Sequence, residues 1–230
     1  MREIVMDTET TGLDPNFGDR IVEIGAVELF NHMPTGKTYH QYLNPQRDMP
    51  EGAFAVHGLS EEFLSDKPLF ADVAQAFLDF ISDSKLVIHN AAFDMKFINA
   101  ELKWVDRPQL PWAQALDTLA IARKKYPGAQ NSLDALCRRF GIQTERELHG
   151  ALLDSEILAE VYLELIGGRQ PDFALSVVSN NDTKGSANMA IWAPQQRQNP
   201  LRSRLTDTEA AAHADFVEKM GESAVWKQFK

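Results

Sequence analysis

Two acidic residues stand at the end of an apolar stretch near the start of the chain. Asp7 and Glu9 directly follow the apolar segment Ile4–Met6 and are separated by one residue. Because side chains two positions apart on a strand share a face, an extended segment here directs both carboxylates to one side. Two carboxylates at the end of a buried strand are costly without a counter-charge, and a divalent cation is the usual one. A lone Asp-x-Glu is more often a polar loop that caps a helix, so the pair needs support from elsewhere in the chain.

A third carboxylate lies on a helix face that should be apolar. Asp154 shares this face with Leu158, Val161 and Leu165, which follow at spacings of three or four residues. A carboxylate on the core-facing stripe requires a cation or a metal ion, and residues 148–167 contain no lysine or arginine. We therefore interpret Asp154 as a metal ligand in preference to a buried hydrogen-bond acceptor.

Two further polar residues could complete such a site. Asp94 falls in the first turn of a predicted helix, where it either complements the helix dipole or binds a cation. His149 precedes Asp154 by five residues, which on one helix would separate the two side chains by about 140°. The two converge only if His149 lies in the loop that ends at Gly150. A loop histidine beside a metal cluster is suited to take a proton from water, although a single loop histidine is more often simply exposed.

The periodicity of apolar residues predicts the elements that would position these side chains. Five strands are expected, at Ile4–Met6, Arg20–Phe30, Lys37–Leu43, Leu86–His89 and Trp112–Asp117. Residues 44–58 contain two prolines and are predicted to form a loop. Helices are expected at Ser60–Ser65, Ala71–Ser82, Ala92–Leu102, between Asp117 and Pro127, from Ser132 to Gly141, and over Ala151–Ile166.

The composition excludes several classes of protein. The chain has 230 residues, 44% of them hydrophobic, which suffices for one buried core and an extra segment. The single cysteine, Cys137, rules out a disulfide framework, and a reducing cytoplasm fits. No apolar run approaches the roughly 18 residues of a membrane span, and the N-terminus is too short and acidic for a signal peptide. A net charge of −10 argues against a protein that grips long duplex DNA alone, but not against one that meets phosphates through bound metal ions.

Three motifs in this order resemble the DEDDh exonuclease family. They are Asp7-Thr-Glu9-Thr-Thr-Gly12, His89-Asn-Ala-Ala-Phe-Asp94 and His149-Gly-Ala-Leu-Leu-Asp154, and the histidine at position 149 marks the "h" subtype. Within that family the chain is similar to the proofreading exonucleases of bacterial replicative DNA polymerases. The resemblance covers about residues 1–168 and implies an α/β, ribonuclease-H-like exonuclease fold. Such a fold has a mixed five-stranded sheet flanked by helices, to which this chain would add a flexible C-terminal tail.

The resemblance also implies roles for individual residues. Asp7, Glu9 and Asp154 would hold one divalent metal ion, Mg²⁺ or Mn²⁺, and Asp7 would bridge to a second ion near Asp94. His149 would act as the general base for hydrolysis of the terminal phosphodiester, releasing a nucleoside 5′-monophosphate. The substrate would be the 3′ end of single-stranded or frayed DNA. The residues implied in substrate binding are Asp7, Glu9, Thr10, Leu13, Gly52, His57, Phe93 and Asp154.

Beyond the exonuclease domain, assigned to residues 1–168, the composition changes. Residues 176–204 are rich in Ser, Asn, Gln and basic residues, and the segment 169–204 is predicted to be a flexible linker. Within it Gln170, Phe173 and Leu175 resemble a clamp-binding peptide of bacterial replication proteins, which would make the sliding clamp a partner. The segment 205–230 begins with a capping box at Thr206 and carries an apolar stripe and aromatic residues without a core of its own.

That segment is predicted to bind a partner, and the resemblance supplies the catalytic subunit of the replicative polymerase. Val217 and Trp226 are the residues expected to make the contact.

Two other functions remain open at this point. A related DEDDh nuclease that trims RNA ends or short oligonucleotides would carry the same catalytic residues, but has no evident need for a linker and a capped terminal helix. A non-catalytic adaptor would keep the fold only to bind a polymerase. The complete set of acidic residues and His149 argues against the adaptor.

Overall fold

The computed structural model describes residues 1–143, 148–167, 205–221 and 225. They belong to two compact units. The first holds 1–143 and 148–167, and the second holds 205–221 and 225. The predicted linker and its candidate clamp-binding peptide lie outside the described residues.

The first unit is built on a five-stranded sheet with the order β3-β2-β1-β4-β5. The strands are β1 (Arg2–Thr10), β2 (Ile21–Phe30), β3 (Met33–Tyr42), β4 (Lys85–Ile88) and β5 (Ala115–Asp117). Strands β1, β2 and β3 pair antiparallel, whereas β4 pairs parallel with both β1 and β5. The sheet is therefore mixed, as the resemblance to DEDDh exonucleases implies, and β1 lies at its centre.

Helices pack against this sheet. The described α-helices of the first unit are α1 (Glu51–His57), α2 (Glu61–Leu64), α3 (Phe70–Ile81), α4 (Ala91–Trp104), α5 (Thr118–Lys125), α6 (Leu133–Phe140) and α7 (Ala151–Ile166). Short 3₁₀ turns occupy Pro15–Phe17 and Trp112–Gln114.

Strand β1 is buried on both faces, so its alternating side chains meet different helices. Ile4 and Met6 belong to the core that includes residues of α3 and α4, while Val5 packs with Leu158 and Tyr162 of α7. The alternation continues past Met6. Odd-numbered residues of β1 therefore face α7, and even-numbered residues face α4.

Several boundaries differ from the sequence-based expectation. Strand β1 spans Arg2–Thr10 and not only Ile4–Met6, and β3 begins at Met33, four residues before the expected Lys37. Residues 44–58 were expected to be a loop, but α1 occupies Glu51–His57 within them. Its signals are weak in sequence: Pro50 provides no side-chain cap, and Gly52 disfavours helix. Gly58 ends the helix in a left-handed conformation at φ 70°, which glycine adopts without strain. The strand expected at Trp112–Asp117 begins only at Ala115, because a 3₁₀ turn precedes it.

The second unit contains one described helix, α8 (Asp207–Lys219). The predicted capping box is present: the Thr206 hydroxyl accepts from the Glu209 amide at 3.3 Å, and the Glu209 carboxylate accepts from the Thr206 amide at 2.9 Å. No residue of α8 is buried within its unit. None of the described helices is both long and apolar enough to cross a membrane.

Candidate active site

The end of β1 separates its polar side chains between two helices. Because Asp7 and Glu9 share the face of Val5, they are directed toward α7, and Thr8 is directed toward α4. The Thr8 hydroxyl donates a hydrogen bond of 2.7 Å to Oδ1 of Asp94 in α4. Strand β1 thus links the acidic residue of α4 to the acidic pair on its own opposite face.

Asp94 is held in the first turn of α4. The helix begins after Asn90, whose backbone is left-handed at φ 66°, so the chain turns sharply from β4 into α4. Asp94 is only 2% exposed. Burial raises the pKa of Asp94 to about 7, although the hydrogen bond from Thr8 acts in the opposite direction. A divalent cation beside this carboxyl would favour its ionised form.

Close packing of α7 on β2 places Asp154. A Cβ atom on Gly25 would lie 2.1 Å from the Ala151 carbonyl carbon, so only glycine permits this approach. The Ser155 hydroxyl lies 2.9 Å from the Gly25 carbonyl oxygen, which ties the first turn of α7 to the strand. Asp154 is 2% exposed, as its position on the apolar stripe predicts.

His149 precedes α7 in the loop that ends at Gly150, the position from which it can reach Asp154. Its Nδ1 lies 3.0 Å from Oδ2 of Asp154. The His149 amide donates a hydrogen bond of 3.0 Å to the Val56 carbonyl of α1, so the missed helix supports the loop. The His149 side chain is 47% exposed and accessible to water.

These residues converge on one cavity of about 200 Å³. Its lining residues are Asp7, Thr8, Glu9, His89, Asn90, Phe93, Asp94, Leu133, His149 and Asp154. Ligand atoms of Glu9, His149 and Asp154 all lie within 4.8 Å of one another. Carboxylate oxygens are the ligands that hard divalent cations prefer, so the donor set fits such an ion.

The other residues implied in substrate binding are more scattered. Phe93 lines the cavity and packs on Phe97 with ring centroids 4.9 Å apart. Thr10 and His57 are buried, and burial lowers the pKa of His57, although the nearby Thr10 backbone acts in the opposite direction. Leu13 is 82% exposed, and Gly52 is exposed on α1. Neither Leu13 nor Gly52 lines the cavity.

The predicted partner-binding residues lie elsewhere. Val217 is a half-buried residue of α8 in the second unit. Gln170, Phe173, Leu175 and Trp226 lie outside the described residues.

Four cavity residues were not identified from sequence as site residues: Thr8, His89, Asn90 and Leu133. Strand alternation could have assigned Thr8 to the face of Asp94. His89 and Asn90 belong to the motif that contains Asp94, so their proximity follows from that motif. Leu133 carries no local signal, because it reaches the cavity only through the packing of α6.

Known proteins resemble this chain in sequence and in fold. A model of the Exonuclease family (RNase T) matches residues 4–162, more than half of the chain. The chain belongs to the Exonuclease family.

Two relatives of this chain are described as DNA polymerase III subunit epsilon. The protein of Rickettsia felis is 48% identical over 97% of this chain and 99% of its own length. That of Escherichia coli is 45% identical over 98% of this chain and 97% of its own length. The similarity therefore extends through both units and the segment that joins them.

Solved structures of exonucleases have the same fold. Exonuclease X, solved in complex with 5′-overhanging duplex DNA, is 28% identical with a TM-score of 0.57, covering 71% of this chain and 90% of its own. The nuclease domain of 3′hExo, a DEDDh family member bound to rAMP, has a TM-score of 0.63 over 72% of this chain and 91% of its own. At 19% identity, the second likeness concerns the fold alone.

Proposed function

We propose that this chain is the 3′→5′ proofreading exonuclease of a bacterial replicative DNA polymerase, and that it works with two divalent metal ions, Mg²⁺ or Mn²⁺. The observation that carries the proposal is the convergence of Asp7, Glu9, Asp94, His149 and Asp154 on one cavity. Membership of the Exonuclease family supplies the reaction class, hydrolysis of a terminal phosphodiester.

The metal ligands are proposed as follows. Asp7, Glu9 and Asp154 would hold one ion, and Asp7 and Asp94 would serve the second. When bound, the ions supply Lewis-acid stabilisation of charge on the phosphate and lower the pKa of a water molecule. Once ionised, the Asp94 carboxylate would add negative charge at the site of the second ion. Thr8 orients this carboxylate through the 2.7 Å hydrogen bond.

His149 is the proposed general base. With a proton on Nδ1, the ring donates to Asp154 across 3.0 Å, which directs Nε2 to take the proton of the attacking water. The same short distance would also allow His149 to act as a metal ligand, since its ligand atom belongs to the 4.8 Å cluster. Loss of His149 separates the two roles, because a base is needed for turnover and a ligand is needed for metal affinity.

The terminal nucleotide is proposed to bind between β1 and α1. The main chain of Asp7–Thr10 would contact its sugar and phosphate, with Gly52 and His57 on the facing helix. Phe93 and Leu13 offer apolar surface to bases, and contact with apolar side chains tolerates any base, as removal of mispaired nucleotides requires. The exposure of Leu13, 82%, leaves it accessible to a strand that enters the site.

Digestion of labelled oligonucleotides tests the activity and its substrate. The full chain should shorten 5′-labelled single-stranded DNA from the 3′ end in Mg²⁺ or Mn²⁺ and not in EDTA. The alternative, an enzyme that trims RNA ends or short oligonucleotides, predicts faster digestion of an RNA of the same sequence. A chain that binds DNA but releases no mononucleotide in either metal would be the non-catalytic adaptor.

The polymerase catalytic subunit is the proposed partner of residues 205–230. Helix α8 has no buried residue within its unit, so its surface is available to another protein. The linker 169–204 would then keep the nuclease near a frayed 3′ end at high effective concentration. With this role the protein would act in the cytoplasm.

Co-purification tests this partner. Val217→Asp combined with Trp226→Ala should abolish retention of the polymerase subunit, while Lys219→Ala, on the same helix, should retain it. Truncation after Gly168 should reproduce the loss and leave digestion of free single-stranded DNA near wild type. If the truncated chain bound the polymerase subunit with full affinity, residues 205–230 would not be the polymerase-binding segment.

The sliding clamp is a second proposed partner, through Gln170, Phe173 and Leu175. A glutamine followed by two apolar anchors is the supporting pattern. Replacement of all three by alanine should reduce clamp affinity at least about tenfold, whereas Asp172→Ala should not. Equal clamp affinities of the triple variant and Asp172→Ala would show that Gln170, Phe173 and Leu175 do not bind the clamp.

A further inference from the structure

A second, larger cavity adjoins the candidate active site. It measures about 670 Å³, within the range of ligand-binding pockets. His89 and Asn90 line both this cavity and the catalytic one, so the two are adjacent at the N-terminus of α4. The far wall consists of the end of α5, the turn after it, and the start of α6, including Arg123, Gly128, Asn131 and Ser132.

The walls of this cavity, which we call the α5–α6 pocket, suit an anion. Among the residues described as lining the pocket, Arg123 is the one with a formal positive charge, and its side chain is exposed. It lies near enough to His89 to help lower the pKa of that ring, an effect secondary to burial. Within the described part of the chain, no carboxylate forms an ion pair with Arg123, whereas Arg2, Arg20 and Arg47 each have one.

The pocket is also firmly built. Arg139 lies over the Tyr126 ring at 4.5 Å, and its guanidinium donates to the Gln130 carbonyl at 3.2 Å. Asn131 is 7% exposed, and its amide donates to the Ala129 carbonyl at 2.9 Å. These contacts fix the turn, and Arg123, which lines the pocket, remains exposed. The N-terminus of α6, capped by Ser132, adds its positive dipole end to the same wall.

A chain of net charge −10 can hold a polyanion only where cationic or dipolar groups are concentrated. The metal centre provides one such place, and the α5–α6 pocket provides another beside it. Thr10, Gly52 and His57, the proposed contacts of the terminal nucleotide, do not line the pocket. The terminal nucleotide, bound by those contacts, therefore does not fill this pocket.

We propose that the α5–α6 pocket binds the phosphodiester backbone of the nucleotide preceding the scissile linkage, with Arg123 as its principal contact. The strand would run from the catalytic cavity past His89 and Asn90 into this pocket. The inference rests on the proposed exonuclease function, and it adds a substrate subsite that determines how well the enzyme uses a strand rather than a single nucleotide.

Two substrates distinguish this subsite from the catalytic cavity. The p-nitrophenyl ester of thymidine 5′-monophosphate has one phosphodiester and occupies only the terminal position. An oligothymidylate of four nucleotides extends into the α5–α6 pocket. Arg123→Gln in the full chain should raise KM for the tetranucleotide about tenfold, the scale of one charged hydrogen bond, and leave kcat and all constants for the ester unchanged.

Lys125→Gln is the matched control, because Lys125 ends the same helix, loses the same charge and does not line the pocket. Equilibrium binding of a phosphorothioate oligonucleotide, which resists hydrolysis, gives a readout independent of turnover. Its affinity should fall in Arg123→Gln alone, and the slope of log affinity against log salt should decrease by about one.

Each other outcome counts against the subsite. Equal KM values for Arg123→Gln and Lys125→Gln would show that only general charge matters, and a similar loss on the ester would place Arg123 at the terminal nucleotide. Either result is distinguishable from failure of the proposed function, in which the wild-type chain would hydrolyse neither substrate.

Discussion

A histidine–carboxylate pair lies near each end of strand β1, and the two pairs have different surroundings. Near its start, Glu3 lies 2.7 Å from Nδ1 of His32 and accepts a 2.7 Å hydrogen bond from Tyr162. Near its finish, Asp154 lies 3.0 Å from Nδ1 of His149. Helix α7 contributes to both ends, through Tyr162 and Asp154.

The charged groups around these pairs differ between the two ends of β1. At the start of β1, Arg2 pairs with Glu28 and holds the pKa of that carboxyl down to about 2. At the finish, carboxylates from β1, α4 and α7 converge on one cavity, and burial raises the pKa of Asp94 to about 7. The first arrangement neutralises buried charge with protein groups and stabilises the fold, whereas the second concentrates negative charge where a divalent cation would bind.

The largest expected effect comes from comparing substitutions of the carboxylates at the two ends of β1. Asp7→Asn or Glu9→Gln should lower turnover to below about 10⁻³ of wild type, because the metal ligands are lost. Thermal unfolding in EDTA should show equal or greater stability, since repulsion between carboxylates is relieved. Glu3→Gln should do the reverse, with unfolding about 1–3 kcal/mol easier and turnover per folded molecule retained. Activity in either site variant near wild type would contradict the assignment.

The two histidines provide the next test. His149→Ala should reduce kcat about 10²–10⁴-fold, the usual cost of losing a general base, while calorimetric Mn²⁺ affinity changes little. His32→Ala removes the equivalent ring from the other end and should leave kcat unaltered. A parallel loss of Mn²⁺ affinity in His149→Ala would make His149 a ligand instead.

A smaller effect is expected from the contact that sets α7 against the sheet. Gly25→Ala places a Cβ against the Ala151 main chain, so α7 must shift and carry Asp154 with it. We expect a loss of about 1–3 kcal/mol in stability and a ten- to hundredfold loss of kcat. Unchanged kinetics would mean that the site tolerates displacement of Asp154.

The smallest effects concern pH, and they have opposite signs at the two ends. The pKa of Asp94 is raised from 3.8 to about 7, so the stability it contributes to the metal-free fold is lost as pH rises through about 7. The pKa of Glu28 is lowered from 4.5 to about 2, so its contribution is present above 4.5 and lost as pH falls toward 2.

Asp94→Asn should therefore gain stability over wild type at pH 8 in EDTA, by about 1–2 kcal/mol, and show little gain at pH 4. Glu28→Gln should lose stability at pH 7 and converge with wild type near pH 2. Unfolding midpoints across this range check both, and parallel curves for either variant would remove that carboxyl as the source of the pH dependence.

The sequence by itself determined the catalytic candidates and most of the fold. The apolar run before Asp7, the spacing from Asp154 to Leu165 and the five-residue interval from His149 to Asp154 are local features. Local periodicity is enough to predict a strand end, a helix face and a loop. The five strands and the course of α7 agree with those expectations, whereas the mixed pairing of the strands was implied by the family resemblance.

Only the tertiary structure decided which separate segments meet. Helix α1 was missed because Gly52 and an uncapped start weaken its local signal, and its Val56 carbonyl is what supports His149. Leu133 and Arg123 reach their cavities through the packing of α6 and α5, which depends on contacts between residues far apart in sequence. Gly25 shows the physical reason most directly: its lack of a Cβ has no local consequence in β2, and it matters only because α7 packs against it.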